Sequence, residues 1–191
     1  MSKKIFIPFL NLCFNCTVMI FCVSFIIIQL YNFNKLITPV YPNQVESKQI
    51  KLIKSDLRFL GAKEKDLNKL SHAIKYASDI TKINDLILTP LMYTESNFKL
   101  HSISSKGYKS LMQTPIADYE HDLDTIRGAK ILQEKLRYAK GDLKLALALY
   151  KGGNNPAAKK YAAQTLKWID KLKKRRIENG WSNTRKWRNG K

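Results

Sequence analysis

Apolar positions recur along most of this chain at three- and four-residue steps, the spacing that puts side chains on one face of an α-helix. Between Lys63 and Lys82 the stripe is Leu67, Leu70, Ile74, Ala77 and Ile80, which predicts a core-facing helix. The next apolar run, Leu86 to Thr94, follows Asn84-Asp85, a pair suited to capping a helix start. Pro90 lies inside that run and predicts a bend or a local break. Asp124 to Ala139 repeats the helical pattern through Ile126, Ala129, Leu132 and Leu136. Gly141-Asp142 then ends one helix and caps another, whose apolar face is Leu143, Ala146, Leu147 and Tyr150, before Gly152-Gly153 closes it. Asn155-Pro156 opens a last helix carrying Tyr161, Thr165, Trp168, Ile169 and Leu172. No stretch alternates with the period of a strand and no internal repeat occurs, so the expected fold class is all-α, with one helical domain over 51–172.

A different pattern governs the start of the chain. Residues 5–34 contain no Asp, Glu, Lys or Arg and are mostly Ile, Phe, Leu, Val, Cys and Met. A helix needs roughly 20 apolar residues to cross the hydrocarbon core of a bilayer. No small-x-small cleavage site precedes Lys35, so 1–34 is expected to be an uncleaved transmembrane anchor rather than a leader. Pro39 and Pro42, with several Asn and Gln, mark 35–50 as a linker.

Composition adds a bias in partners. Across 191 residues, 34 Lys and Arg against 15 Asp and Glu give a formal charge of +19. That favours nucleic acid, anionic lipid or an acidic wall polymer, without choosing among them. Residues 173–191 read as a basic tail, with Lys173-Lys174-Arg175-Arg176, Trp181 and Arg185-Lys186-Trp187-Arg188, suited to an anionic surface or a protein partner. Cys13, Cys16 and Cys22 all lie in the first apolar segment, so the domain has no disulfide framework and no cysteine metal site.

The candidate chemistry sits between Leu91 and Pro115. On a helix running to Glu95, Leu91 and Met92 lie three and four residues earlier, so the carboxyl falls at the edge of the apolar stripe. Burial and a place in the last helical turn both favour the protonated form that a general acid needs. Asp118, Glu120, Asp122 and Asp124 follow and are either partner carboxylates or loop and cap residues.

The run Glu95-Ser96, Phe98, Ser104, Gly107 and Leu111-Met112-Gln113 resembles the goose-type lysozyme and lytic transglycosylase family, in which an E-S pair is followed at this spacing by G-L-M-Q. Thr125-Ile126-Arg127-Gly128-Ala129-Lys130-Ile131-Leu132 is similar to the family's N-I-x-x-G-x-x-Y-L helix, and Leu149-Tyr150-Lys151-Gly152-Gly153 to its A-Y-N-x-G motif. The resemblance covers Asp85 to Trp168. It implies a lysozyme-like helical domain that cleaves the bond between N-acetylmuramic acid and N-acetylglucosamine in peptidoglycan glycan strands, forming a 1,6-anhydro sugar through one Glu. Glu95 would be that residue; Ser96 would orient it or its loop; Ser104, Met112, Gln113, Tyr150 and Lys151 would contact substrate. No metal and no cofactor is implied.

Four departures mark this chain. Ser110 replaces the first Gly of G-L-M-Q and adds a side chain where the backbone approaches glycan. Lys151 replaces the Asn of A-Y-N-x-G; either it answers an acidic substrate group or Asn154 and Asn155 supply the missing amide. Lys99-Leu100 stands where Asn-Pro is usual, and Pro90 interrupts the catalytic helix. The expected setting is the bacterial inner membrane, single-pass, with the catalytic domain in the periplasm and nucleic acid the least favoured partner. A non-catalytic wall- or surface-binding module and a hydrolytic lysozyme are the competing expectations.

Overall fold

The structure is a computed structural model that describes residues 46–153 and 155–181. Six α-helices follow in order: α1 (Lys48–Phe59), α2 (Leu67–Thr81), α3 (Asp85–Ser96), α4 (His121–Tyr138), α5 (Leu143–Tyr150) and α6 (Pro156–Glu178), with a 3-10 turn at Glu64–Asp66 before α2. The domain is all-α. Among the described residues the extended pairing consists of isolated antiparallel bridges, Ile103 with Lys109 and Lys109 with Thr114, both in the loop between α3 and α4.

Helix starts follow local chemistry. The Ser47 hydroxyl accepts from Ile50 N at 3.2 Å, Asn84 from Leu86 N at 2.8 Å, Asp142 from Leu145 N at 3.0 Å and Asn155 from Ala158 N at 2.9 Å, each satisfying an amide the helix leaves unpaired. Leu67, Leu70, Ile74 and Ala77 of α2 are buried as the stripe requires, but the next buried residue is Thr81, while Ile80 is 43% exposed. Steps of three and four that average 3.6 lead from Ala77 to Thr81. The Thr81 hydroxyl bonds back to the Ala77 carbonyl, which makes its burial tolerable.

At the centre lies α3, packed against α1, α2 and α6. Asp85 through Met92 are all buried, so this helix has no wet face over its first two turns. Pro90 does not break it. The lost amide and ring clash cost about 3 kcal/mol in a helix interior, and burying Leu86, Leu88, Leu91 and Met92 at about 1.5–3 kcal/mol each outweighs that. Thr89 and Thr94 donate to the carbonyls of Asp85 and Pro90, both at 2.8 Å.

The last helix runs past the sequence-based limit of the domain to Glu178. Its buried stripe continues Tyr161, Thr165, Ile169, Leu172 and then Arg176, so part of the basic run belongs to the fold. Arg176 Nε lies 2.7 Å from Asp56 Oδ2, and its Nη2 lies 2.7 Å from Asp85 Oδ2. One guanidinium thus clasps α1, α3 and α6 together. Burial of Asp56 raises its carboxyl to about 6, against the lowering pull of Arg176. The Asp85 and Asp56 charges hold Arg176 above its usual range although burial opposes them.

The expected membrane anchor is corrected. No helix among the described residues is long and apolar enough to cross a membrane. The buried central helix, α3, has 12 residues and is about 18 Å long, short of a hydrocarbon core of about 30 Å, whereas the longest, α6, is dense in Lys and Arg. Residues 5–34, on which the anchor was expected, lie outside the described residues. The membrane partner and the inner-membrane, periplasm-facing location rested on that anchor and are withdrawn with it. The linker over 35–45 and the tail beyond Trp181 also lie outside the described residues.

Candidate active site

Glu95 occupies the last turn of α3, above Leu91 and Met92, both fully buried. Its backbone reaches the surface, but its side chain is only 2% exposed. Oε2 lies 3.0 Å from Lys151 Nζ, and Oε1 is buried without a hydrogen-bond partner. Lys151 comes from the C-cap of α5, is 43% exposed, and carries its ammonium 4.8 Å from the centre of the Tyr161 ring. The Tyr161 hydroxyl is the other buried side-chain atom without a partner. Burial first, and then the charge and side-chain contact of Glu95, raise it well above the usual tyrosine range.

The wall of the site is the loop between α3 and α4. Ser96 donates its hydroxyl to the Leu111 carbonyl at 2.8 Å and to Met92 O at 3.2 Å, tying the end of α3 to the Leu-Met-Gln segment. Tyr150 of α5 donates to the Met112 carbonyl at 2.7 Å. It does not bond Glu95, although that charge adds to burial in raising its hydroxyl. Met112 is fully buried, and a Cβ on Gly128 would lie 2.3 Å from Met112 Cβ. The helix glycine is therefore the surface on which Met112 rests, and the Met112 side chain is core. Gln113 donates its amide to the carbonyls of Ser110 at 2.8 Å and Ser102 at 3.2 Å. Ser104 accepts from the Tyr108 amide at 3.0 Å and closes a turn.

Ser110 turns inward. It is buried, adopts a left-handed backbone (φ 66°) that glycine would take more easily, and donates its hydroxyl to Asp124 Oδ2. The side chain therefore does not lie where a glycan strand would run. Asp124 also accepts from the Asp118 amide at 3.0 Å and contacts Arg127 at 3.3 Å, and Arg127 pairs with Asp118. These two carboxylates hold the loop onto α4.

The structure thus brings Glu95, Lys151, Tyr150 and Tyr161 together and sets Ser96, Met112 and Gln113 behind them as scaffold. Ser104 belongs to the outer part of the loop. Tyr161 entered the sequence reading only as a stripe residue; its step of four to Thr165 fixed the face but not its neighbour across the helix pair. A separate concavity of about 520 Å³ between α5 and α6, lined by Lys144, Leu166, Lys167, Lys171 and Lys174, shares no residue with this site. Its carboxylate, Asp170, is exposed, unlike the nearly buried Glu95. Neither protein-family models nor curated protein sequences give a match to this chain.

Proposed function

We propose that this domain is a peptidoglycan lytic transglycosylase in which Glu95 acts twice. The observation that carries the reading is a single, nearly buried carboxyl with one oxygen unpartnered, at the end of a buried helix and beside a loop fixed by Ser96 and Tyr150. In its acid form Glu95 gives a proton to the glycosidic oxygen between N-acetylmuramic acid and N-acetylglucosamine, and the bond from that oxygen to C1 breaks. As carboxylate it then takes the proton of the muramic acid 6-hydroxyl while that oxygen closes on C1. The product is a 1,6-anhydro sugar, and no water is consumed.

Two of the four acids that follow the Leu-Met-Gln segment are engaged elsewhere, which favours this over hydrolysis. A hydrolytic glycosidase needs a second carboxylate, to activate water or to attack C1. Asp118 and Asp124 are committed to Arg127 and the loop. Lys151 must leave Oε2 before Glu95 can donate a proton, and that contact is the one observation favouring a module that binds wall glycan without cutting it. Mass analysis of muropeptides released from purified peptidoglycan by the full-length protein separates the readings. Anhydro ends that vanish in Glu95→Gln support the transglycosylase. Reducing ends indicate a lysozyme, and sedimentation with the wall without release indicates a binding module.

A further inference from the structure

We propose that Lys151 makes the site selective for glycan substrates bearing a carboxylate beside the scissile bond, because that carboxylate draws the ammonium off Glu95 and frees the acid. The inference rests on the reaction proposed above and names what that reaction selects. Its starting point is an asymmetric ion pair. Glu95 is 2% exposed and Lys151 43%, with 3.0 Å between them. An anion approaching from solvent therefore meets the ammonium before it meets the carboxylate.

The lysine is placed to change partners. It stands at the end of α5, where the helix dipole favours a cation, and is followed by Gly152 and Gly153, whose φ angles are 116° and 122°. Tyr161 supports the ammonium through its ring face, a contact that does not depend on the Glu95 bond. Beyond Lys151, Glu95 has the Tyr161 hydroxyl beside it. Its Oε1 has no partner, so Lys151 supplies the ion-pair contact to this carboxylate.

Exchange then couples recognition to chemistry. A substrate carboxylate takes the place of Glu95 on Lys151, one carboxylate for another, so the ammonium keeps a counter-ion throughout. Glu95 is then no longer held by Lys151, and its carboxyl is open to the glycosidic oxygen. A substrate whose carboxylate is blocked as an amide leaves the Lys151–Glu95 pair closed.

The test compares soluble glycan fragments stripped of stem peptides, whose muramic acid lactyl carboxylates are free on the ring that carries the scissile bond, with the same fragments converted to amides. Calorimetric binding is measured with the full-length wild-type protein, Glu95→Gln, and the double variant Glu95→Gln/Lys151→Met. Removing the internal competitor is expected to tighten binding of the free-carboxylate fragments about tenfold in Glu95→Gln, with no change for the amides. The double variant is expected to lose the distinction. Cleavage by the wild type should favour free carboxylates, Lys151→Arg should keep that preference, and Lys151→Met should abolish it. Equal binding of both fragment types, no tightening in Glu95→Gln, no measurable binding, or an unchanged preference in Lys151→Met each overturns the proposal. The two failures are distinct. Selective binding without anhydro products sinks the reaction and keeps the role of Lys151, whereas Glu95-dependent cleavage without selectivity does the reverse.

Discussion

Two of the carboxylate–cation sites in this domain differ in what their partners leave over. At the clasp, Arg176 is 4% exposed in its side chain, touches Asp56 through two nitrogens and reaches Asp85 as well, while Arg175 approaches Asp56 and holds Ser55. Arg176, Asp56 and Asp85 are buried there and both carboxylates are engaged. At Glu95 the acid is nearly as buried, but its cation is half in water, makes one ion pair besides its contact with the Tyr161 ring, and leaves an oxygen without a bond. A saturated buried cluster holds helices together; an unsaturated one has capacity for a ligand.

The sharpest way to break this contrast is to remove each cation. Arg176→Ala leaves Asp85 buried without its cation and Asp56 with only the Arg175 contact at 3.5 Å, and is expected to destabilise the fold by about 3–5 kcal/mol in urea denaturation. Lys151→Met is expected to change stability by no more than about 1 kcal/mol, because the lysine is half exposed and makes a single ion pair. Comparable losses in the two variants would erase the distinction.

The pH dependence sharpens it further. Asp56 is raised from 3.8 to about 6 by burial, so between those values the folded protein holds a proton that the unfolded chain has released. Its contribution to stability is therefore complete below about 4 and is lost as pH rises through about 6, on the order of 2–3 kcal/mol in all. Asp56→Asn removes this term. Denaturation midpoints of wild type and variant measured across that window should converge at the acid end and separate in favour of the variant as pH rises. A constant difference would contradict the assignment.

On the other side of the comparison, the rigidity of the wall behind Glu95 is tested at Gly128. Gly128→Ala places a methyl against Met112 and is expected to cost about 1–3 kcal/mol by overpacking. It should also lower activity, since Met112 O anchors Tyr150 and Leu111 O anchors Ser96. Gly128→Ala with full activity would show that the loop need not be held this closely.

Much of the scaffold was legible because helices announce themselves locally. The caps at Asn84, Asp142 and Asn155 and the stripes of α2, α4 and α5 are patterns within a few residues. What escaped is non-local. Arg175 and Arg176 read as part of a basic tail because their partner, Asp56, lies 120 residues away from Arg176. Pro90 read as a break because the packing that overrides it comes from three other helices. The bridges at Ile103, Lys109 and Thr114 are too short to alternate visibly, and Ser110 read as facing glycan because its bond to Asp124 spans a loop. At the site, periodicity located Glu95 on the apolar edge of its helix. The position of Lys151 on it depends on how α5 meets α3, which no local pattern records.

The central claim, one carboxyl acting twice without water, is tested most directly by digesting purified peptidoglycan with the full-length protein in water enriched in oxygen-18. The account predicts muropeptides ending in 1,6-anhydro sugar with no label at the muramic acid C1, and no release by Glu95→Gln. Labelled reducing ends, or release that survives Glu95→Gln, would contradict it.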